Sequence, residues 1–239
     1  MKKSTNYKVF IFITGSILLV LLIIFFFLPF GQFRENPHEK ILQIPSPVGL
    51  RAQPDQEGWK PLFNEIDLDG WEITNFGPQG DVFIRDSMII LDYGEGCTGI
   101  NWKKDFPKMN YEISLEAMRV GGHDFFCGLT FPVNNEYCTL ITGGWGGSVL
   151  GISSIDGEDA SENFTSRWFH FENQRWYQIN IKVDEKTLRC FIDRVELITV
   201  PLNGHKFSVR SEVLLSRPVG ICSWVTNSAL RNIKFREIK

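Results

Sequence analysis

Hydrophobic residues recur at every second position through much of this chain, and that spacing constrains the fold more than any other feature. Tyr111, Ile113, Leu115 and Ala117 alternate with Glu112, Ser114, Glu116 and Met118. Tyr177, Ile179, Ile181 and Val183 alternate with Gln178, Asn180 and Lys182. A period of two places successive side chains on opposite faces, so these segments read as half-buried antiparallel strands with one wet face. Further strands are expected at 88–91, 125–131, 137–142, 148–153, 188–192, 195–200, 219–224 and 230–237. Asp193-Arg194 separates two of them as a tight turn, although it lacks the glycine such hairpins favour. No amphipathic helix of three turns stands out after residue 58. So many short strands in one stretch predict an all-β fold, a two-sheet antiparallel jelly-roll sandwich.

The alternation does not reach the amino terminus. Residues 9–30 carry no charged side chain. As a helix they would span about 33 Å, enough to cross a hydrocarbon core about 30 Å thick. Lys2, Lys3 and Lys8 precede the run, which favours an amino terminus kept in the cytoplasm. The run is long for a signal core, and Leu28-Pro29-Phe30-Gly31 offers no small-x-small cleavage site, so an uncleaved anchor is expected over a removed signal peptide. The expected order is a cytoplasmic tail at 1–8, a transmembrane signal-anchor helix at 9–30, a linker at 31–57 and one domain at 58–239. Pro37, Pro45, Pro47 and Pro54 mark the linker. This order makes the protein single-pass, with its domain extracytoplasmic, in the periplasm or at the cell surface.

Without the three leading lysines, 22 Lys+Arg face 28 Asp+Glu, a surplus of six negative charges. That balance argues against a nucleic-acid partner bound through a broad basic face. Cys97, Cys127, Cys138, Cys190 and Cys222 lack CxxC spacing, so zinc and thioredoxin-like readings fail. They read as small apolar residues packed between strands, with Cys127 and Cys138 able to face each other across neighbouring strands.

GxSxG, HExxH, P-loop and dinucleotide signatures are absent. Residues 121–151 contain eight glycines, including Gly143-Gly144-Trp145-Gly146-Gly147. Such density means either a sharply bent backbone or something approaching it closely. Beyond it lies an acidic run, Asp156, Glu158, Asp159 and Glu162, followed by Arg167. Clustered carboxylates suit an exposed loop, a hard cation such as Ca2+, sugar binding or acid/base work. Asn163-Phe164-Thr165 has the spacing of a glycosylation acceptor. His123-Asp124 places an imidazole beside a carboxylate, a pairing that serves a general base where the side chains meet. Tyr137, Trp145 and Trp168 offer flat faces for sugar rings.

The segment Trp59-Lys60-Pro61-Leu62-Phe63-Asn64-Glu65-Ile66-Asp67-Leu68-Asp69-Gly70-Trp71 resembles the opening of the 3-keto-disaccharide hydrolase-like family. Ala229-Leu230-Arg231-Asn232-Ile233-Lys234-Phe235 is similar to the family's closing strand. Asn173-Gln174-Arg175-Trp176-Tyr177 falls where members carry Gly-Glu-Trp-Asn. The centre departs from the pattern: where many members have Asn-Ser-Gly-Ile-x-x-Arg, this chain has Phe126-Cys127-Gly128-Leu129-Thr130-Phe131. The resemblance implies a concanavalin A-like lectin/glucanase sandwich that is exported and acts on carbohydrate. It also implies a reaction in which a 3-keto group acidifies the neighbouring carbon, so that losing that proton expels the glycosidic oxygen. Such chemistry needs a general base, for which His123, Asp124, Asp156, Glu158 and Asp159 are candidates. Arg167 is the candidate for steadying the developing oxyanion. The competing reading is a non-catalytic carbohydrate-binding or envelope interaction module on the same sandwich.

Overall fold

A computed structural model describes residues 58–238, so the expected tail, membrane anchor and linker lie outside the described residues. Two antiparallel sheets pack face to face. The eight-stranded sheet runs in the order β13 (Val195–Pro201), β12 (Thr187–Ile192), β11 (Trp176–Val183), β6 (Tyr111–Gly122), β15 (Thr226–Glu237), β4 (Met88–Leu91) and β3 (Val82–Arg85), with β1 (Lys60–Pro61) also paired to β15. The seven-stranded sheet runs β10 (Arg167–Trp168), β9 (Val149–Ser153), β8 (Glu136–Gly144), β7 (Cys127–Val133), β14 (Gly220–Trp224), β5 (Cys97–Trp102) and β2 (Trp71–Ile73). One 3-10 turn, Ser211–Ser216, is the helical element among the described residues. The all-β antiparallel sandwich read from the alternation is the observed fold.

The inward set of each strand makes the core. Ile113 and Leu115 of β6 and Ile179 and Ile181 of β11 pack into one buried cluster with Leu129, Phe131 and Leu140 of the opposite sheet. Each such side chain contributes about 1.5–3 kcal/mol through removal from water. The same parity continues to Arg119, which points inward and is buried.

Two bulges in β15, at Asn227/Ser228 and between Arg231 and Lys234, interrupt the period of two. They explain why the strand begins at Thr226 rather than at residue 230. Strand β5 was not legible because both of its faces are buried, which removes the alternation. Asp193 and Arg194 form the two-residue hairpin turn without glycine, both in the left-handed region (φ 49° and 69°). Asp193 is held there: its Oδ1 accepts from the Gln178 amide at 2.9 Å, and its Oδ2 pairs with Arg175 at 2.8 Å.

All five cysteines are free and buried, as small core residues would be. The expected opposition of Cys127 and Cys138 is corrected by the register, which sets Cys127 against Thr142 and Cys138 against Phe131. Burial pushes the thiols of Cys127, Cys138 and Cys190 above their ordinary range.

The outer face of the seven-stranded sheet is not left to solvent. Two segments lie across it, the acidic loop after β9 and the strap that contains the 3-10 turn. Glycines allow them to settle. A Cβ on Gly220 would stand 2.4 Å from the Ser216 carbonyl oxygen, and one on Gly151 would stand 2.7 Å from the Ala160 carbonyl oxygen. Val213 of the strap packs with Cys97 and Cys222, and Ala160 of the acidic loop packs with Ile141 and Val149.

Candidate functional site

Between the strap, the acidic loop and the β8–β9 turn, this outer face retains a cavity of about 220 Å³. Phe125, Ile141, Trp145, Val213 and Trp224 supply its apolar walls, while Asp124, Ser153, Arg210 and Glu212 supply its polar groups. Sites for drug-sized ligands run to about 300–1,000 Å³. A cavity of this size therefore suits one ring rather than a chain of them.

Trp145 is held at the mouth by backbone geometry. Its φ of 48° is left-handed, and Gly143, Gly146 and Gly147 around it are also left-handed. Such a conformation costs a non-glycine residue on the order of 1–3 kcal/mol and persists only where neighbours enforce it. Here the enforcement comes from Arg119 and Asp124. Arg119 Nη1 donates to the carbonyls of Gly147 and Asp124, both at 3.3 Å. Its Nη2 donates to the Phe171 carbonyl, and its Nε donates to Asn173 Oδ1 at 2.6 Å. Burial lowers the affinity of Arg119 for its proton, yet no carboxylate is needed, because carbonyl oxygens surround the guanidinium. Asp124 Oδ1 accepts from the Phe125 amide at 2.7 Å, and its Oδ2 accepts from the Gly146 amide at 3.3 Å. A carboxylate has about four acceptor positions, so Asp124 keeps capacity toward the cavity.

Arg210 is the cation of the site and is braced from two sides. Glu212 receives its Nη2 at 2.7 Å and its Nε at 3.3 Å, and Asp159 receives its Nη1. Asp159 is fixed in turn by Ser153 Oγ at 3.1 Å and by the Ala160 amide. The Arg210 hydrogen bond holds the Glu212 carboxyl down at about 2. Because that value lies below the usual 4.5, the pair's contribution is complete above pH about 4.5 and fades as pH falls toward 2. Urea unfolding should therefore show Glu212→Gln less stable than the parent at pH 7. The gap should stay under about 1 kcal/mol, since the pair is partly exposed, and should close between pH 4.5 and 2. A gap that widened with acid would contradict this pairing.

The 3-keto-alpha-glucoside-1,2-lyase-like domain family matches residues 58–238. The chain belongs to that family. Among solved structures, a candidate glycosyl hydrolase from Parabacteroides distasonis is 14% identical, with 77% of this chain and 95% of that chain covered and a TM-score of 0.50. The Crh5 transglycosylase in complex with NAG is 11% identical, with 76% and 84% covered and a TM-score of 0.51. The carbohydrate binding module CBM66 of Bacillus subtilis is 11% identical, with 70% and 96% covered and a TM-score of 0.49. At these identities the likeness to the first two is one of fold. No curated protein matches the sequence.

In this lyase-like domain, the residues singled out from the sequence divide between several places. Asp124 and Trp145 line the cavity, and Asp159 lies behind it on Arg210. His123 is exposed in the bend after β6 and lines none of it. Asp156 turns away, accepting from His205 Nδ1 at 2.6 Å and from the Lys206 amide at 2.8 Å. Those bonds, the Lys206 amide foremost, hold its carboxyl below the usual range. Glu158 is exposed. Arg167 donates from Nη1 to the carbonyls of Phe164 and Ser166 on its own turn and does not line the cavity. Trp168 is 85% exposed on the edge strand β10, apart from the cavity. Tyr137 lines a separate cleft of about 670 Å³ on the other side of the strap, with Arg217 over its ring at 5.6 Å.

The acidic run therefore does not converge on a cation. Among the described residues, no three His, Cys, Asp or Glu side chains come together as a metal site. Asn163 is not a glycosylation site in this setting. It is buried, its Nδ2 donates to the Ile152 carbonyl at 2.8 Å, and its Oδ1 accepts from the Thr165 hydroxyl at 2.6 Å, so it pins the loop. Arg210, Glu212, Trp224 and Arg119 were missed. Arg119 had a signal, a charge on the inward parity of β6. The strap residues had none, because 209–216 follows neither a strand nor a helix period.

Proposed function

We propose that this domain is a carbohydrate-active lyase that opens the glycosidic bond of a 3-keto-glycoside by elimination. The observation that carries the reading is a single-ring cavity, walled by Trp145, Phe125 and Trp224, that Asp124 and Arg210 also line. In the reaction, Asp124 takes the proton from C2. The electron pair moves into the C3 carbonyl, whose oxygen becomes an enolate opposite Arg210. The enolate then re-forms the ketone while the C1–O bond breaks, and the departing oxygen collects a proton. The products are an unsaturated keto-sugar and an alcohol, and addition of water to the former completes a hydrolysis. Two of the five guanidinium N–H groups remain for the oxyanion after Asp159 and Glu212 have taken theirs.

We also propose that residues 9–30 anchor the chain in a membrane and that 31–57 hold the domain outside the cytoplasm. The charge-free run and the three lysines before it support this.

A second reading rests on Asp124 itself. Both its oxygens already hold backbone amides, Oδ1 that of the neighbouring Phe125 and Oδ2 that of Gly146 in the Trp145 turn, an arrangement that also suits a binding module with no base. Full-length protein incubated with a 3-keto-disaccharide separates the two. Release of the alcohol with appearance of the enone absorbance supports the lyase. A ligand-dependent rise in melting temperature with no product supports the module and ends the catalytic reading.

A further inference from the structure

The strap that walls the cavity has a second flank. Glu212 and Val213 line the cavity, whereas Leu214, Leu215 and Arg217 line the cleft of about 670 Å³ beyond them. That cleft has about three times the volume of the cavity, which gives room for a short chain of rings. Strand register builds its floor. Glu72 of β2 stands beside Asn101 of β5, and Asn101 stands beside Gly220 of β14. Ser216 of the strap settles on Gly220, and the cleft opens between that contact and the sheet edge at β2.

The lining divides by chemistry. Thr74, Asn75 and Asn101 bring a hydroxyl and two primary amides, groups that both donate and accept. Asn101 is only 8% exposed, and its Oδ1 accepts from the Thr74 hydroxyl at 3.1 Å. Its Nδ2 has no partner among the described residues and is not sealed from water. A largely buried amide thus keeps its donors for whatever enters. Ile73, Leu214 and Leu215 are large apolar side chains left exposed on this cleft, with Tyr137 beside them. Charge there is already engaged. Lys103 pairs with Glu72 at 2.7 Å. Arg217 donates from Nε to the Leu214 carbonyl at 3.0 Å and lies over the Tyr137 ring at 5.6 Å.

We propose that this cleft binds a neutral oligosaccharide, its hydroxyls held by Asn101, Asn75 and Thr74 and its ring faces laid on Tyr137 and the strap leucines. Sugar hydroxyls donate and accept, as primary amides do, so the two sets match without charge. The apolar faces of the rings cover side chains that otherwise stay in water. Concave sites of this volume take small ligands, whereas protein partners meet across about 800 Å² a side. The site rests on the carbohydrate reading of the domain but not on turnover in the cavity, which lies across the strap.

The test is titration of full-length protein with cellohexaose, laminarihexaose and maltohexaose, with hexagalacturonate as the charged control. At least one neutral chain should bind, its affinity changing less than about twofold between about 50 and 500 mM salt, because it carries no charge to screen. That affinity should fall about tenfold in Asn101→Ala, which removes a largely buried donor, and persist in Asp124→Asn. Leu215→Ala, on the exposed strap, gives the same direction where the first variant does not fold. Failure of all three neutral chains to bind, an affinity unchanged in both variants, or tighter binding of hexagalacturonate overturns the proposal. So does binding abolished by Asp124→Asn, which would move the ligand into the cavity. Alcohol release from a 3-keto-disaccharide is read separately, so failure of this site and failure of the lyase reading are told apart.

Discussion

Asp124→Asn should lower kcat on a 3-keto-disaccharide by about 10²–10⁴, the range a positioned general base supplies. The substitution keeps the side-chain volume and one carbonyl oxygen, so the Phe125 amide can still be received at Oδ1. What it removes is the capacity to accept a proton. The Gly146 amide then faces an NH2 group in place of an oxygen, a small cost because this donor is exposed and water can replace the lost acceptor. Progress curves for alcohol release, paired with melting temperatures, separate the two effects. A melting shift of a few degrees beside a hundredfold loss of rate fits a base. Turnover within a factor of a few of the parent removes Asp124 from that role.

The largest expected loss of stability comes from Arg119→Ala, at about 3–5 kcal/mol by urea unfolding. One guanidinium satisfies the carbonyls of Asp124, Gly147 and Phe171 and the amide oxygen of Asn173. Hydrogen bonds to a charged group contribute about 1.5–3 kcal/mol each, though as a connected set they do not add. Its loss also leaves a void beside the Phe126 ring, over which the guanidinium lies at 5.7 Å. Arg119→Lys should recover only part of this, because an ammonium cannot span four acceptors in the geometry of a planar fork. The left-handed turn at Trp145 is enforced by the same clamp, so affinity for a ring in the cavity should fall in both variants. A loss under 1 kcal/mol would mean that water replaces the guanidinium without cost.

What the sequence made legible follows from where the sheets meet. The half-buried strands β6 and β11 announce themselves, since one face is wet and the other dry, and the sandwich follows from them. Strands buried on both faces, such as β5, carry no alternation and stay hidden. The cavity was half legible. Asp124 and Trp145 sit in the glycine-dense stretch that demanded an explanation, and both explanations apply, a bent backbone at Trp145 and a close approach at Gly151. The acidic run misled because spacing along a loop carries no direction. Asp156 and Gly157 are both left-handed, and the backbone sends Asp156 to His205 while Asp159 goes to Arg210. Arg210 and Glu212 arrive from more than fifty residues downstream on a strap without periodicity, so only the fold brings them to the site.

The distribution of the cysteines gives the domain a built-in record of its own motion. Cys127, Cys138 and Cys190 lie between the sheets, whereas Cys97 and Cys222 lie outside them, beneath Val213. Hydrogen bonding with Cys222 and burial together keep the Cys97 thiol from ionising. Lifting the strap uncovers that outer pair and leaves the inner three sealed, while separation of the sheets uncovers all five. A thiol reagent that reaches two sulfurs before the others thus clocks the opening of the cavity wall, and one that reaches all five together clocks unfolding of the domain.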